Sequence, residues 1–315
     1  MRWPHDPNWF QNRLGAGRGG VLGGAWEAGA LHALRQVTGW DPCRADHLIG
    51  TSVGSLLGAL LAADVLPNVD LVEAATHRVE AFPWPIPGSW NLGFTGAKVT
   101  GPRRWIMTAA GLLPRGTLST RPIQESVRQR IPRGWPTGRP LWIVATDYRT
   151  GERVVFGRSH APAADLPDAV AASCAIPGVY RPVEIGGRLY VDGGLYSATS
   201  LDLLIGVGLD LAICLNPMSS PSVAPGPRKL AVRLQGVAEH AAHRSLIAEA
   251  DALRASGTPV LLIEPGPVDL AAMGLNLMDR KRAHFVFETA VRTVASQLRS
   301  AAVVVGLESP AGLRS

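Results

Sequence analysis

Apolar positions recur at helical spacing over residues 25–37, a stretch that ends near Gly39 and predicts a helix. A short run, Asp46-His47-Leu48-Ile49, leads into a glycine turn, and residues 55–63 read as a buried helix behind it. Residues 141–145, Leu-Trp-Ile-Val-Ala, form a continuous apolar run of strand length, and residues 153–156 pair with it across the turn Thr150-Gly151. Further strands are expected at 189–191, ahead of Asp192-Gly193-Gly194, at 211–215, and at 260–263 behind the amphipathic stretch 239–255. Residues 279–298 read as a long closing helix. This alternation predicts an α/β fold of three layers, with a mostly parallel central sheet covered by helices on both faces. Residues 83–140 break the pattern with Pro-rich and Trp-rich sequence, and are expected to form a cap or insertion on one domain spanning residues 1–315.

Composition narrows the class. A chain of 315 residues, 46% hydrophobic and with mean hydropathy +0.12, can bury a large core and is unlike a disordered segment. No apolar run approaches the roughly 18 residues of a membrane span, and the first residues hold no apolar signal segment, so a cytoplasmic location is expected. Cys43, Cys174 and Cys214 are too few and too widely spaced for a disulfide framework or a zinc site and are expected to be buried thiols.

The net charge of +6 is concentrated: residues 98–139 hold nine basic residues and one acid, Glu125. Five of the nine tryptophans, Trp84, Trp90, Trp105, Trp135 and Trp142, fall in or beside this stretch. Arginine with tryptophan suits a lipid-water interface or a phosphate-bearing substrate, whereas a solvated arginine face with ordinary cap packing is the plainer alternative. Nucleic acid is not among the expected partners.

Three segments carry candidate chemistry. Gly50-Thr51-Ser52-Val53-Gly54 has the Gly-x-Ser-x-Gly form, follows an expected strand and opens an expected helix, so Ser52 would stand exposed on a tight turn; the alternative is a serine that caps the helix. The cluster Gly19-Gly20-Val21-Leu22-Gly23-Gly24 opens the first helix, where backbone N–H groups, with Val53 after the serine, could bind an oxyanion. Gly15-Ala16-Gly17-Arg18-Gly19-Gly20 also fits a dinucleotide fingerprint, but residues 10–14 are short and polar for the strand that fingerprint requires. Asp192-Gly193-Gly194 places a carboxylate at a strand end, either as a general base or as a plain Asx turn.

Together these segments resemble the patatin-like phospholipase family, in which a glycine-rich loop, a Gly-x-Ser-x-Gly elbow and an Asp-Gly-Gly or Asp-Gly-Ala segment occur in this order. Ala172-Ser173-Cys174-Ala175-Ile176-Pro177 and Thr146-Asp147-Tyr148-Arg149-Thr150-Gly151 are similar to further segments of that family. The resemblance implies a dyad of Ser52 and Asp192 acting on lipid acyl esters, with no cofactor and no metal. Oxyanion donors would come from Gly19, Gly20, Val21, Leu22, Gly23 and Val53, with Gly50, Gly54, Gly193 and Gly194 in support. This chain departs from the family at the loop, where no Arg or Lys precedes Gly23 or Gly24. The helix register there depends on which of these two glycines is matched, and the strand before the loop is either short and irregular or truncated by the start site.

Three other readings stay open on sequence. A Ser-His-acid triad would need His240, His243 or His284. An acyltransferase would use the same dyad, and a non-catalytic lipid-binding protein would keep the fold alone. Oligomeric state is not specified.

Overall fold

A computed structural model describes residues 11–16, 20–75, 116–218, 230–274 and 276–304, the first six and residues 230–242 and 301–304 by backbone only. Most of the expected cap, residues 83–115, and three tryptophans in it lie outside the described residues. Strands β1 (Gln11–Ala16), β2 (His47–Ser52), β3 (Leu141–Asp147), β4 (Arg153–Phe156), β5 (Val183–Ile185), β6 (Arg188–Asp192), β7 (Ala212–Leu215) and β8 (Val260–Ile263) form one sheet. Its order is β5-β6-β3-β2-β1-β7-β8, with β4 paired to β3. Strands β3, β2, β1, β7 and β8 pair in parallel, β4 and β6 each pair antiparallel with β3, and β5 pairs antiparallel with β6.

Strand β1 takes the central slot, hydrogen-bonded to β2 and β7, although Gln11, Asn12 and Arg13 are unlike the apolar run of a buried parallel strand. Backbone pairing on both edges overrides local preference here. The dinucleotide reading therefore gains the strand it lacked. It fails at the next requirement, because β2 ends in Thr51-Ser52, where a ribose-binding acid would stand.

The helices are α1 (Gly20–Thr38), α2 (Val53–Ala62), α3 (Val69–Ala75), α4 (Arg121–Arg130), α5 (Leu166–Ser173), α6 (Leu230–Ala255), α7 (Pro267–Met273) and α8 (Ala283–Val304). Alternate strand residues sort into two cores, as the two-residue period of a strand demands. Leu48, Ile143, Ala145, Ile213 and Leu215 face α1, α2, α5 and α8, whereas Ile49, Val144, Ala212 and Cys214 face Leu246, Ala250 and Leu253 of α6. This is the expected three-layer α/β arrangement. Helix α1 begins at Gly20, five residues before its apolar pattern, because the glycines of its first turns allow close packing: a Cβ at Gly24 would lie 2.6 Å from Val53 Cγ2 and 2.9 Å from Val72 Cγ1. Gly23 has room for one, at 3.4 Å from Pro217, so the position that needs a glycine is 24.

Part of the expected cap is described, and it is built into the body: α4 packs on α5 and α3. Arg139 pairs with Asp64 at 2.7 Å and Arg128 with Asp168 at 3.6 Å, so two charges of the basic stretch are matched within the fold. Cys43 and Cys214 are buried thiols outside any disulfide, and Cys174 is a partly buried one. Among the described residues no helix is long and apolar enough to cross a membrane.

The long contact between α1 and α8 closes over Gly29, where a Cβ would meet the Phe287 carbonyl and lie 2.9 Å from Ala290 Cβ. Helix propensity alone favours alanine over glycine by ~1 kcal/mol. Overpacking costs about 1–3 kcal/mol and should win. Gly29→Ala is therefore expected to lower the thermal midpoint; a rise would show that α8 can shift to accept a methyl group.

Candidate active site

The residues at the strand ends are brought together by a shared edge. Thr51 of β2 pairs with Val144 of β3, and one residue later Ala145 pairs with Asp192 of β6. Ala145 also pairs with Val154 of β4, which occupies its other side. A strand residue has only two sides, so β6 must arrive on the edge that β2 has just left. Ser52 and Asp192, distant in sequence, meet at that junction.

Strand β2 leaves by a sharp turn. Ser52 has φ 55° and ψ −131°, a combination that L-residues avoid and that costs ~1–3 kcal/mol. Gly50 makes room for the turn, since a Cβ there would collide with the Gly54 backbone. The Ser52 side chain makes no capping hydrogen bond to α2, so the helix-cap alternative does not describe its hydroxyl. Two hydroxyls hold the turn: Ser55 Oγ donates to the Ser52 carbonyl at 2.6 Å, and Ser173 Oγ accepts the Ser52 N–H at 2.8 Å and donates to the Val144 carbonyl at 2.7 Å.

Asp192 is almost fully buried and serves two arrangements at once. Its Oδ1 accepts the Gly194 N–H at 2.8 Å, the Asx turn anticipated for Asp-Gly-Gly. Among the described residues Oδ2 has no hydrogen-bond partner of full geometry. Burial pushes the carboxyl up to about 7, against the smaller opposing effects of the Gly194 N–H and the Ser52 hydroxyl. A carboxyl poised there can hold or release a proton near neutrality. Gly193 is required by space, because a Cβ would strike the Val144 carbonyl.

Neighbouring segments fix this carboxylate. The Asp192 N–H donates to Ala175 O at 3.0 Å, and Thr146 Oγ1 donates to the Asp192 carbonyl at 3.2 Å. Beyond it, Ser197 Oγ and Thr199 Oγ1 donate to the buried Glu249 carboxylate of α6 at 2.6 and 2.9 Å, and the Leu201 N–H joins them at 2.8 Å. The Cys174 thiol, 3.9 Å from Ser55 Oγ, is driven upward in pKa by burial first and by the Asp192 charge second, and so stays protonated.

The glycine cluster sits beside the same junction. Ala16 at the end of β1 pairs in register with Ser52, and α1 begins at Gly20, with φ 49°. Gly19 lies outside the described residues. The Leu22 N–H donates to the Leu277 carbonyl at 3.0 Å, so this amide, expected among the oxyanion donors, already has an acceptor. Val21 and Leu22 side chains are fully buried, and Val53 opens α2 directly after Ser52.

Two of the three histidines that a triad would need are paired elsewhere. His243 pairs with Glu264, just past β8, which lies three strands from β2, or ~14 Å by sheet spacing. His284 pairs with Asp70 on the surface at 3.6 Å. The His240 side chain is outside the described residues. A cavity of about 1240 Å³ beside α4, lined by Arg121, Arg128, Tyr180 and Arg181 among others, contains neither Ser52 nor Asp192. Among the described residues no group of three or more His, Cys, Asp or Glu side chains could hold a metal ion.

Ser173, which stands in the family-like stretch from Ala172 to Pro177, and Glu249 are not among the candidate residues that the sequence marks. The signal for Ser173 was present, a hydroxyl in an otherwise apolar Val170-Ala171-Ala172 helix end.

Known proteins resemble the chain in sequence and, more weakly, in structure. Uncharacterized NTE family proteins of Mycobacterium bovis and Mycobacterium tuberculosis are each 30% identical to it over 203 residues, 64% of this chain and 48% of theirs. The chain thus spans about half the length of these curated relatives. The crystal structures of VipD from Legionella pneumophila and of the type III effector protein ExoU align over 92% and 93% of this chain and 67% and 53% of theirs, at TM-scores of 0.39 and 0.40 and identities of 13% and 18%. Residues 18–205, which run from the glycine cluster past Asp192, match the patatin-like phospholipase family, and the chain belongs to that family.

Proposed function

We propose that this protein is a serine acyl hydrolase of lipid esters, with Ser52 as nucleophile and Asp192 as its base. The observation that carries the reading is the buried Asp192 carboxyl, one oxygen lacking a full hydrogen bond, set beside a serine on a strained turn. Asp192 takes the hydroxyl proton as Ser52 Oγ attacks the ester carbonyl carbon. The tetrahedral oxyanion collapses, the alcohol leaves with a proton, and water releases the acyl group from Ser52. The oxyanion would be met by the amides of Gly20 and Val21 at the start of α1 and of Val53 at the start of α2, with both helix N-termini adding favourable potential. Peripheral contact with a membrane surface, through the tryptophan- and arginine-rich stretch, belongs to the same proposal.

A panel of phospholipid, lysophospholipid, neutral-lipid and short-chain acyl esters tests it. The wild type should hydrolyse at least one ester and label with a fluorophosphonate probe at Ser52. Ser52→Ala and Asp192→Asn should each lose at least about a hundredfold in kcat. Full hydrolysis by either variant would break the dyad.

Only the ionised Asp192 can accept the proton, and its folded pKa is raised to about 7. The rate of hydrolysis at low substrate should accordingly rise tenfold per pH unit below 7 and level off above it. A profile flat from pH 5 to 8 would exclude Asp192 as base.

The same shift fixes a stability effect. Between the unfolded value near 3.8 and the folded value near 7 the native state holds a proton that the unfolded state has lost, so this group's contribution declines as pH rises through that window. Above pH 7 the penalty is on the order of 4 kcal/mol. Asp192→Asn, which keeps an acceptor for Gly194, should therefore raise the thermal midpoint at pH 8 by more than at pH 4. Equal shifts at both would show that the carboxyl is hydrated.

A further inference from the structure

We infer that Ser173 is a positioning residue for the nucleophile, its hydroxyl continuing the β2–β3 ladder through the turn at which β2 leaves the sheet. The inference rests on the reading of Ser52 as nucleophile and extends it. Regular pairing of β2 with β3 ends at Thr51 and Val144. Ser52 stays in register with Ala16 of β1 but has no partner on β3, and its amide donates instead to Ser173 Oγ at 2.8 Å. That oxygen passes its own proton to the Val144 carbonyl at 2.7 Å. A single hydroxyl thus replaces one rung of the sheet, accepting on one side and donating on the other.

The donor direction is set by chemistry. A hydroxyl has one proton, and an amide N–H can only donate, so the proton goes to Val144 and a lone pair to Ser52. Ser173 is fully buried, so water does not compete for either bond. Ser55 Oγ anchors the Ser52 carbonyl at 2.6 Å, so it is the amide side, which sets the φ of 55°, that loosens without Ser173 and carries Oγ away from Asp192. Two residues on, the Ala175 carbonyl accepts the Asp192 N–H. The three-residue segment at the end of α5 therefore sets both members of the proposed dyad against each other, and a shift in either rung would appear as misalignment between nucleophile and base.

Ser173→Ala and the near-isosteric Ser173→Cys test this. The alanine removes both bonds, and the thiol fills the space with a somewhat larger atom of weaker donor and acceptor strength. With the ester that the wild type hydrolyses, well below the melting temperature, Ser173→Ala should lower kcat about tenfold to a hundredfold with KM nearly unchanged. Ser173→Cys should fall between it and the wild type, and it carries the test if the alanine variant does not fold. Fluorophosphonate labelling at Ser52 should slow in the same order, and amide hydrogen exchange at Ser52 should speed up. A lower melting temperature with wild-type kcat and wild-type Ser52 protection would overturn the inference and leave Ser173 with a packing role. Should the wild type neither hydrolyse esters nor label, faster Ser52 exchange in the variants would still uphold the ladder role, and the hydrolase reading would fall by itself.

Discussion

Strand β3 has one edge that two strands share in succession. β2 occupies it as far as Val144, and β6 takes over at Ala145. The handover obliges β2 to turn out of the sheet within one residue, because continuing would place it in the path of the incoming antiparallel strand. The strained backbone of Ser52, the absence of a side chain at Gly50 and Gly193, and the meeting of Ser52 with Asp192 all follow from that constraint. The Val144 carbonyl lies at its centre, accepting from Ser173 and bounded by Gly193.

Two unfavourable terms are concentrated at this point, a backbone angle outside the usual regions and a carboxyl removed from water. Neither persists without support. Support comes from several elements at once: α5 through Ser173 and the chain just past it through Ala175, β3 through Thr146, and α6 through the Glu249 network that holds the chain after Asp192. The site is thus a local departure from sequence-structure agreement, balanced by bonds from elements of both layers.

Most of the architecture was legible because buried strands carry continuous apolar runs. Residues 141–145, 211–215 and 260–263 were read nearly to their ends for this reason. Strand β1 was harder, since its place depends on backbone pairing with β2 and β7 and its side chains give no strand signal. The β5–β6 hairpin turns on Gly186-Gly187, both at positive φ, a two-residue signal that stood in the sequence beside an identified strand. Ser52 and Asp192 were marked by their flanking glycines, and the structure explains two of these, Gly50 and Gly193, as spaces that a helix backbone and a carbonyl fill. The partners of the two residues were less visible because hydrogen bonds of long sequence separation leave no local pattern. Ser173 looks like any serine near a helix end, and Leu277 gives no hint that its carbonyl meets the Leu22 amide.

That contact between Leu277 and Leu22 bears on the order in which the chain acquires its shape. The first turn of α1 is made long before the carbonyl that satisfies one of its amides and the α8 surface that covers Gly29. Strand β1 likewise waits for β7 before its second edge is paired. The start of α1 beside Ser52 therefore reaches its final geometry only after chain far downstream of it has been made.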